Sequence, residues 1–113
     1  RSARHIASLT DIDQAVAVGK AAVKLATEGK SGVMPIIKRI SDSPYKWEIS
    51  EGNLNEIANE EKTLPKNFIS EDGFRITKAG IDYLQPLIQG ESFPKFSDGV
   101  PVYEGIDLHL NKI

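Results

Sequence analysis

The chain has 113 residues, 40% of them hydrophobic and 27% charged, proportions that allow one domain around one modest core. A formal net charge of −2 gives no electrostatic reason to expect nucleic acid or an anionic membrane as partner. Cysteine is absent, which excludes a disulfide framework and a thiolate metal site, and no apolar run has membrane-spanning length or the layout of a signal peptide.

The chain opens "RSARHIAS", without methionine, as a fragment or a processed protein would. Arg1, Arg4 and His5 form a basic cluster with two readings. One is a solvated, frayed terminus. The other is half of an anion site whose remainder lies upstream, since the planar fork of arginine suits bidentate phosphate recognition.

"TDIDQAVAVGKAAVKLATEG" predicts a helix from about Ile12 to Glu28. Thr10 and Asp13 have capping-box spacing, Asp11 and Asp13 favour the positive end of the helix, and Gly29 is a natural stop. Asp13, Lys20, Lys24 and Thr27 make one narrow polar stripe. Ile12, Ala15, Val16, Val18, Ala22, Val23, Leu25 and Ala26 cover nearly everything else. So wide an apolar arc predicts packing on both flanks, against a larger body than this chain supplies.

"GVMPIIKRI" predicts a strand over Val33–Ile40, with Pro35 at an edge or near its start. "SDSP" reads as a turn, and "YKWEIS" alternates as a half-buried strand pairing back in a hairpin, with Trp47 on the inner face. Asn53 caps a short helix that carries Leu54, Ile57 and Ala58. "TLPKNFISEDGF" reads as a loop. Thr77 caps a further helix from Lys78 to Tyr83 or Leu84, before Pro86 interrupts it. From Gly90 onward the tail is expected to be extended and irregular. The fold class is therefore α/β: a long helix, a β-hairpin and shorter helices.

Several motifs fail a chemical test. "EGKSG" ends like a phosphate-binding loop, yet position 24 is Lys where the motif needs Gly, and the helix precedes the strand instead of following it. Asp11 and Asp13 read as helix-start residues, not as a metal pair. His5 and His109 stand at opposite ends with no third ligand at metal-type spacing. Glu60 with Glu61, and Glu71 with Asp72, are adjacent acids in polar surroundings, whereas acid–base pairs need burial or approach from separate elements. No nucleophile–base arrangement emerges.

The run "RSARHIASLTDIDQAVAVGKAAVKLATEGKSGVMPIIKR", with "EIANEEKTLPKNFI" and "YLQPLIQGE", closely resembles the C-terminal part of pyrophosphate-dependent 6-phosphofructokinases, from Arg1 to about Tyr103. The resemblance implies that residues 1–113 are the C-terminal segment of a phosphofructokinase-like fold. It implies a cytoplasmic, glycolytic, homo-oligomeric enzyme that moves a phosphoryl group reversibly between pyrophosphate and the 1-hydroxyl of fructose 6-phosphate, with Mg2+. In the family a Tyr-x-x-Arg-like motif ends in an Arg that binds the sugar's 6-phosphate. Arg1 matches that Arg; Arg4 and His5 match in type and are expected to support it or to meet another subunit.

The family's Gly-Gly-Asp phosphate and magnesium motif, its Thr-x-Asp motif with the catalytic base, and its Met-Gly-Arg substrate motif are not in these residues. Catalytic residues and metal ligands are thus expected outside the segment, and the isolated piece is expected to be inactive. Two alternatives stand beside this reading: an ATP-dependent phosphofructokinase, because the residues that select the donor lie upstream, and a stand-alone, non-catalytic interaction module.

Overall fold

The computed structural model describes residues 6–103 and residue 105. Helix α1 spans Leu9–Thr27. It starts earlier than the Thr10 cap predicts, because Ser8 is the residue in extended conformation and its side chain accepts from the Asp11 amide at 3.1 Å. The Thr10 hydroxyl turns instead to the Gln89 carbonyl at 3.3 Å. At the other end Gly29, with φ of 75°, stops the helix as expected. The Gly29 amide donates to the Ala26 carbonyl and the Lys30 amide to Leu25, the paired bonds of a Schellman motif.

Strand β1 (Val33–Asp42) pairs antiparallel with β2 (Tyr45–Asn53), each longer than the sequence pattern indicates. Ile37 faces Ile49 and Arg39 faces Trp47 before a register shift between Arg39 and Ser41. Tyr45, Trp47 and Ile49 are half-buried and Lys46 and Glu48 exposed, the alternation expected of a strand with one covered face. The Ser43–Pro44 peptide at the tip is cis. Lys38 pairs with Glu48 across the strands at 3.8 Å, and Lys30 pairs with Glu51.

Helix α2 (Leu54–Ile57) begins where Asn53 accepts from the Asn55 amide at 2.9 Å. The stretch read as loop contains one 3-10 turn at Lys66–Phe68. A bridge between Ile69 and Ile76 then closes a tight loop that leaves Phe74 90% exposed. Thr77 caps α3 (Lys78–Leu84) through the Gly80 amide at 3.4 Å, and anchors it by donating to the Asn67 carbonyl at 2.6 Å. Pro86 falls in a 3-10 turn, Gln85–Ile88, that continues from α3.

The tail is more ordered than expected. Phe96–Ser97 (β3) pairs with Val100–Pro101 (β4). Asp98 and Gly99 between them have φ of 51° and 80°, the two positive values a type I′ hairpin turn needs.

The layers are α1 against the β1–β2 hairpin, with α3 and the 3-10 turn after it closing one end. Leu25 is the one large apolar side chain buried among the described residues, at 9% exposure. On a helix of 3.6 residues per turn, Gln14, Val18, Ala21 and Leu25 face inward. Ala15, Val16, Gly19, Ala22, Val23 and Ala26 form a bare apolar arc on the far side, with Val16 50% and Val23 65% exposed. The surface measures 9886 Å², where a compact chain of this mass exposes about 6,100 Å².

Candidate functional site

Arg1, Arg4, His5 and His109 lie outside the described residues. What is described is the backbone that carries the basic run into α1, and what holds it. The Leu87–Ser92 stretch crosses the first turn of α1 as a strap. The Ser8 hydroxyl donates to the Leu87 carbonyl at 2.7 Å. The Leu9 amide donates to Gly90, the Thr10 amide to Gln89 and the Ser92 amide to Ala7, at 3.2, 3.2 and 3.3 Å.

Gly90 permits the close approach. Its φ is 72°, and a Cβ there would lie 2.7 Å from Leu9 Cβ. Beside the strap runs a groove of about 590 Å³ lined by Ile6, Ser8, Asp11, Leu87, Glu91 and Phe93 among others.

This geometry restricts the chemistry of the helix start. The first amides of a helix bind anions when they are free. Here Leu9, Thr10, Asp11 and Ile12 all donate to protein acceptors, and Asp11 and Glu91 add negative charge to the groove. The amides of the first turn of α1 are therefore not free to bind a phosphate.

A second polar cluster, not anticipated from sequence, joins three elements. Arg39 on β1 donates to Asp42 at 2.5 Å and to the α3 carbonyls of Tyr83 and Asp82 at 2.9 and 3.4 Å. Its guanidinium lies over the Tyr45 ring at 4.9 Å and the Tyr83 ring at 4.6 Å. Tyr45 accepts in turn from Gln14 on α1 at 2.5 Å, and Gln14 is buried at 6% exposure. Each group is matched by a protein partner, so the cluster reads as a lock between α1, the hairpin and α3. Nothing in the local sequence marks Arg39; only the fold brings Tyr83 to it.

The acidic pairs have the solvated character expected of them. Glu60, Glu61, Glu71 and Asp72 are exposed. Asp72 accepts from the Ser70 hydroxyl and the Phe74 amide, and these bonds hold its carboxyl below the ordinary 3.8. That is the opposite of what a general acid requires. No three Asp, Glu or His side chains among the described residues come together as a cation site. Trp47 is half-buried on the hairpin, as a packing residue.

No family model matches the chain. Individual proteins do. It is 58% identical over 103 residues to the pyrophosphate–fructose 6-phosphate 1-phosphotransferase of Methylococcus capsulatus, covering 91% of this chain and 24% of that one. To the protein of the same name in Halomonas elongata it is 56% identical over 109 residues, covering 96% and 26%. The crystal structure of a pyrophosphate-dependent phosphofructokinase from Marinobacter aquaeolei superposes with a TM-score of 0.85 at 58% identity, over 90% of this chain and 26% of that one. Over most of its length the chain is similar to part of the pyrophosphate-dependent phosphofructokinases.

It spans about a quarter of the length of the phosphofructokinase relatives it matches. Two runs that carry its phosphofructokinase resemblance, "IASLT" and "PLIQGE", meet in the strap at the start of α1. No helix among the described residues is long and apolar enough to cross a membrane.

Proposed function

We propose that this chain works as the C-terminal portion of a cytoplasmic, glycolytic phosphotransferase. That enzyme moves a phosphoryl group reversibly between pyrophosphate and the 1-hydroxyl of fructose 6-phosphate. The observation that carries the reading is identity of 58% across 91% of the chain to a protein named for that reaction. In this reading Arg1 grips the 6-phosphate of the sugar, Arg4 and His5 support it or meet another subunit, and the active enzyme is a homo-oligomer.

Phosphoryl transfer depends on positioning and on charge stabilisation of the transferring group. A sugar hydroxyl also needs a positioned base. When bound, Mg2+ neutralises charge on the transferring phosphoryl. Among the described carboxylates, Asp72 is held below its ordinary value, which suits it poorly to be that base, and no three Asp, Glu or His side chains gather. In this reading the base and the metal ligands belong to other parts of the enzyme, and this chain contributes the sugar-phosphate grip and the scaffold behind it.

The test is a coupled assay for fructose 1,6-bisphosphate with fructose 6-phosphate, magnesium and either pyrophosphate or ATP. It is run on the full gene product that contains these residues and on the 113-residue chain. Activity of the full product with pyrophosphate, and none from the 113 residues, is the expected result. Activity with ATP alone overturns the donor, and activity of the 113-residue chain overturns the division of labour.

A further inference from the structure

We infer that Asp98–Gly99 is a site of spontaneous isoaspartate formation, while the other Asp–Gly pair of the chain, Asp72–Gly73, is held against it. The dipeptides are identical in sequence. Gly99 and Gly73 also have similar positive φ, 80° and 76°, and nothing within 4 Å of a Cβ built on either. Steric access therefore does not separate the two pairs; their hydrogen bonds do.

The reaction is internal to the chain. The glycine amide nitrogen attacks the aspartate Cγ and forms a C–N bond. The protonated carboxyl gives up its hydroxyl, which leaves with the amide proton as water. The resulting succinimide then takes water back. Attack of water at the side-chain carbonyl restores aspartate, and attack at the backbone carbonyl leaves the chain running through the side chain, as isoaspartate. No oxidant, metal or second substrate takes part. The step needs a glycine amide without a partner, a carboxyl free to be protonated, and a backbone free to turn about the aspartate Cα–C bond.

Asp98–Gly99 meets all three needs. Among the described residues the Gly99 amide donates to no acceptor, and the Asp98 carboxyl makes neither a hydrogen bond nor an ion pair. The pair closes a hairpin with only two residues in each strand, so the turn opens at the cost of few bonds.

Asp72–Gly73 meets none of them. The Gly73 amide donates to the Ser70 carbonyl at 2.9 Å. The Asp72 carboxylate accepts from the Ser70 hydroxyl and from the Phe74 amide at 3.1 Å, bonds that favour its ionised form and so make it a poor target for attack. The loop is also clamped across its base. The Ser70 amide donates to the Arg75 carbonyl at 2.9 Å, the Arg75 amide to the Ser70 hydroxyl at 3.0 Å, and Ile69 bridges to Ile76. Turning Gly73 towards the Asp72 carboxyl breaks several of these at once.

The experiment stores the intact enzyme at mildly acidic pH, folded and in denaturant, and measures isoaspartate at positions 98 and 72 by peptide chromatography with backbone fragmentation. In the folded enzyme isoaspartate should build up at 98 about three- to tenfold faster than at 72, the factor expected from the bonds that only Asp72 makes. In denaturant the two rates should converge. Ser70→Ala should raise the rate at 72 by a similar factor and leave that at 98 unchanged. Equal rates in the folded enzyme, a faster rate at 72, or the same ratio with and without denaturant overturns the inference, as does a folded Ser70→Ala enzyme whose rate at 72 does not rise. If Ser70→Ala fails to fold, the comparison of folded with unfolded parent decides the question by itself.

Discussion

The guanidinium carbon of Arg39 lies 4.6 Å from the centre of the Tyr83 ring, while the same side chain donates to the Tyr83 carbonyl at 2.9 Å. One strand residue thus holds both the side chain and the backbone of the last turn of α3. Its charge sits where a helix leaves carbonyls unpaired and carries partial negative charge. Lysine keeps that charge but loses the planar fork and the stacking surface. Arg39→Ala is expected to destabilise the intact enzyme by about 2–3 kcal/mol, and Arg39→Lys to recover less than half of it. Thermal midpoints of the three proteins check this; a lysine variant as stable as the parent would refute it.

Gly80 sets helix propensity against packing. Alanine in its place gains about 1 kcal/mol of helix propensity. Its Cβ, however, would lie 3.0 Å from the Phe68 carbonyl oxygen and 2.5 Å from Ile76 Cγ2. The carbonyl belongs to backbone that receives the Thr77 amide and has little freedom to withdraw. Overpacking should win, and Gly80→Ala should lower stability by about 1–2 kcal/mol in denaturant titration.

Gly19 is the contrasting case, because nothing lies within 4 Å of a Cβ built there. It stands in the middle of the bare arc of α1 that the sequence expects to be covered in the whole enzyme. In the 113-residue chain Gly19→Ala should be neutral or stabilising by up to about 1 kcal/mol, whereas in the intact enzyme it should destabilise. Cysteine substitution adds a direct measure of cover. Ala22→Cys and Val23→Cys should react with maleimide slowly in the intact enzyme, and Lys24→Cys, on the polar stripe, quickly. Equal rates would show that no second layer packs on α1.

The loop that carries Phe74 should respond to acid. Asp72 has its pKa lowered first by the Ser70 hydroxyl and then by the Phe74 amide. A group whose folded pKa is depressed contributes order above its unfolded value and loses it as pH falls through the folded one. The protection of the Phe74 amide, its exchange rate relative to the intrinsic rate at the same pH, should therefore be greatest above about pH 4 and fall in stronger acid, while Asp72→Asn removes that fall. Lys30 has the opposite sign. Its hydrogen bond to Glu51 raises its pKa above 10.5, so that contribution is whole below this value and lost as pH climbs past the raised one, and it stays small because the pair is exposed.

The features legible in the sequence are those governed by neighbours along the chain. The stop at Gly29, the caps at Asn53 and Thr77, and the alternation of the hairpin all depend on residues within a turn or a strand of each other. The start of α1 was legible only in part. Ser8 and Thr10 are both able to cap, and the choice between them is made by Gln89, which takes the Thr10 hydroxyl from the far end of the chain. Arg39 was silent for the same reason, since its partners Tyr83 and Asp82 arrive through the fold. The β3–β4 hairpin did carry a local signal, the Asp98-Gly99 pair, hidden in a stretch whose prolines and glycines read as irregular. Of the candidate site, Arg1 came from resemblance alone; the strap needed three dimensions.

The span of the strap also sets a schedule for synthesis. Ser8 and Leu87 are separated by 79 positions, and a ribosome adding residues at 5–20 per second leaves on the order of 4–16 s between them. Throughout that interval the first turn of α1 has its amides unclaimed by the strap, and the hairpin and α3 are made before it arrives. The bonds that hold the start of α1 are therefore among the last in this region to form. A ribosome stalled before Gly90 should display α1 and the hairpin with Ala7–Thr10 lacking the strap's bonds, a state open to limited proteolysis on either side of Ser8.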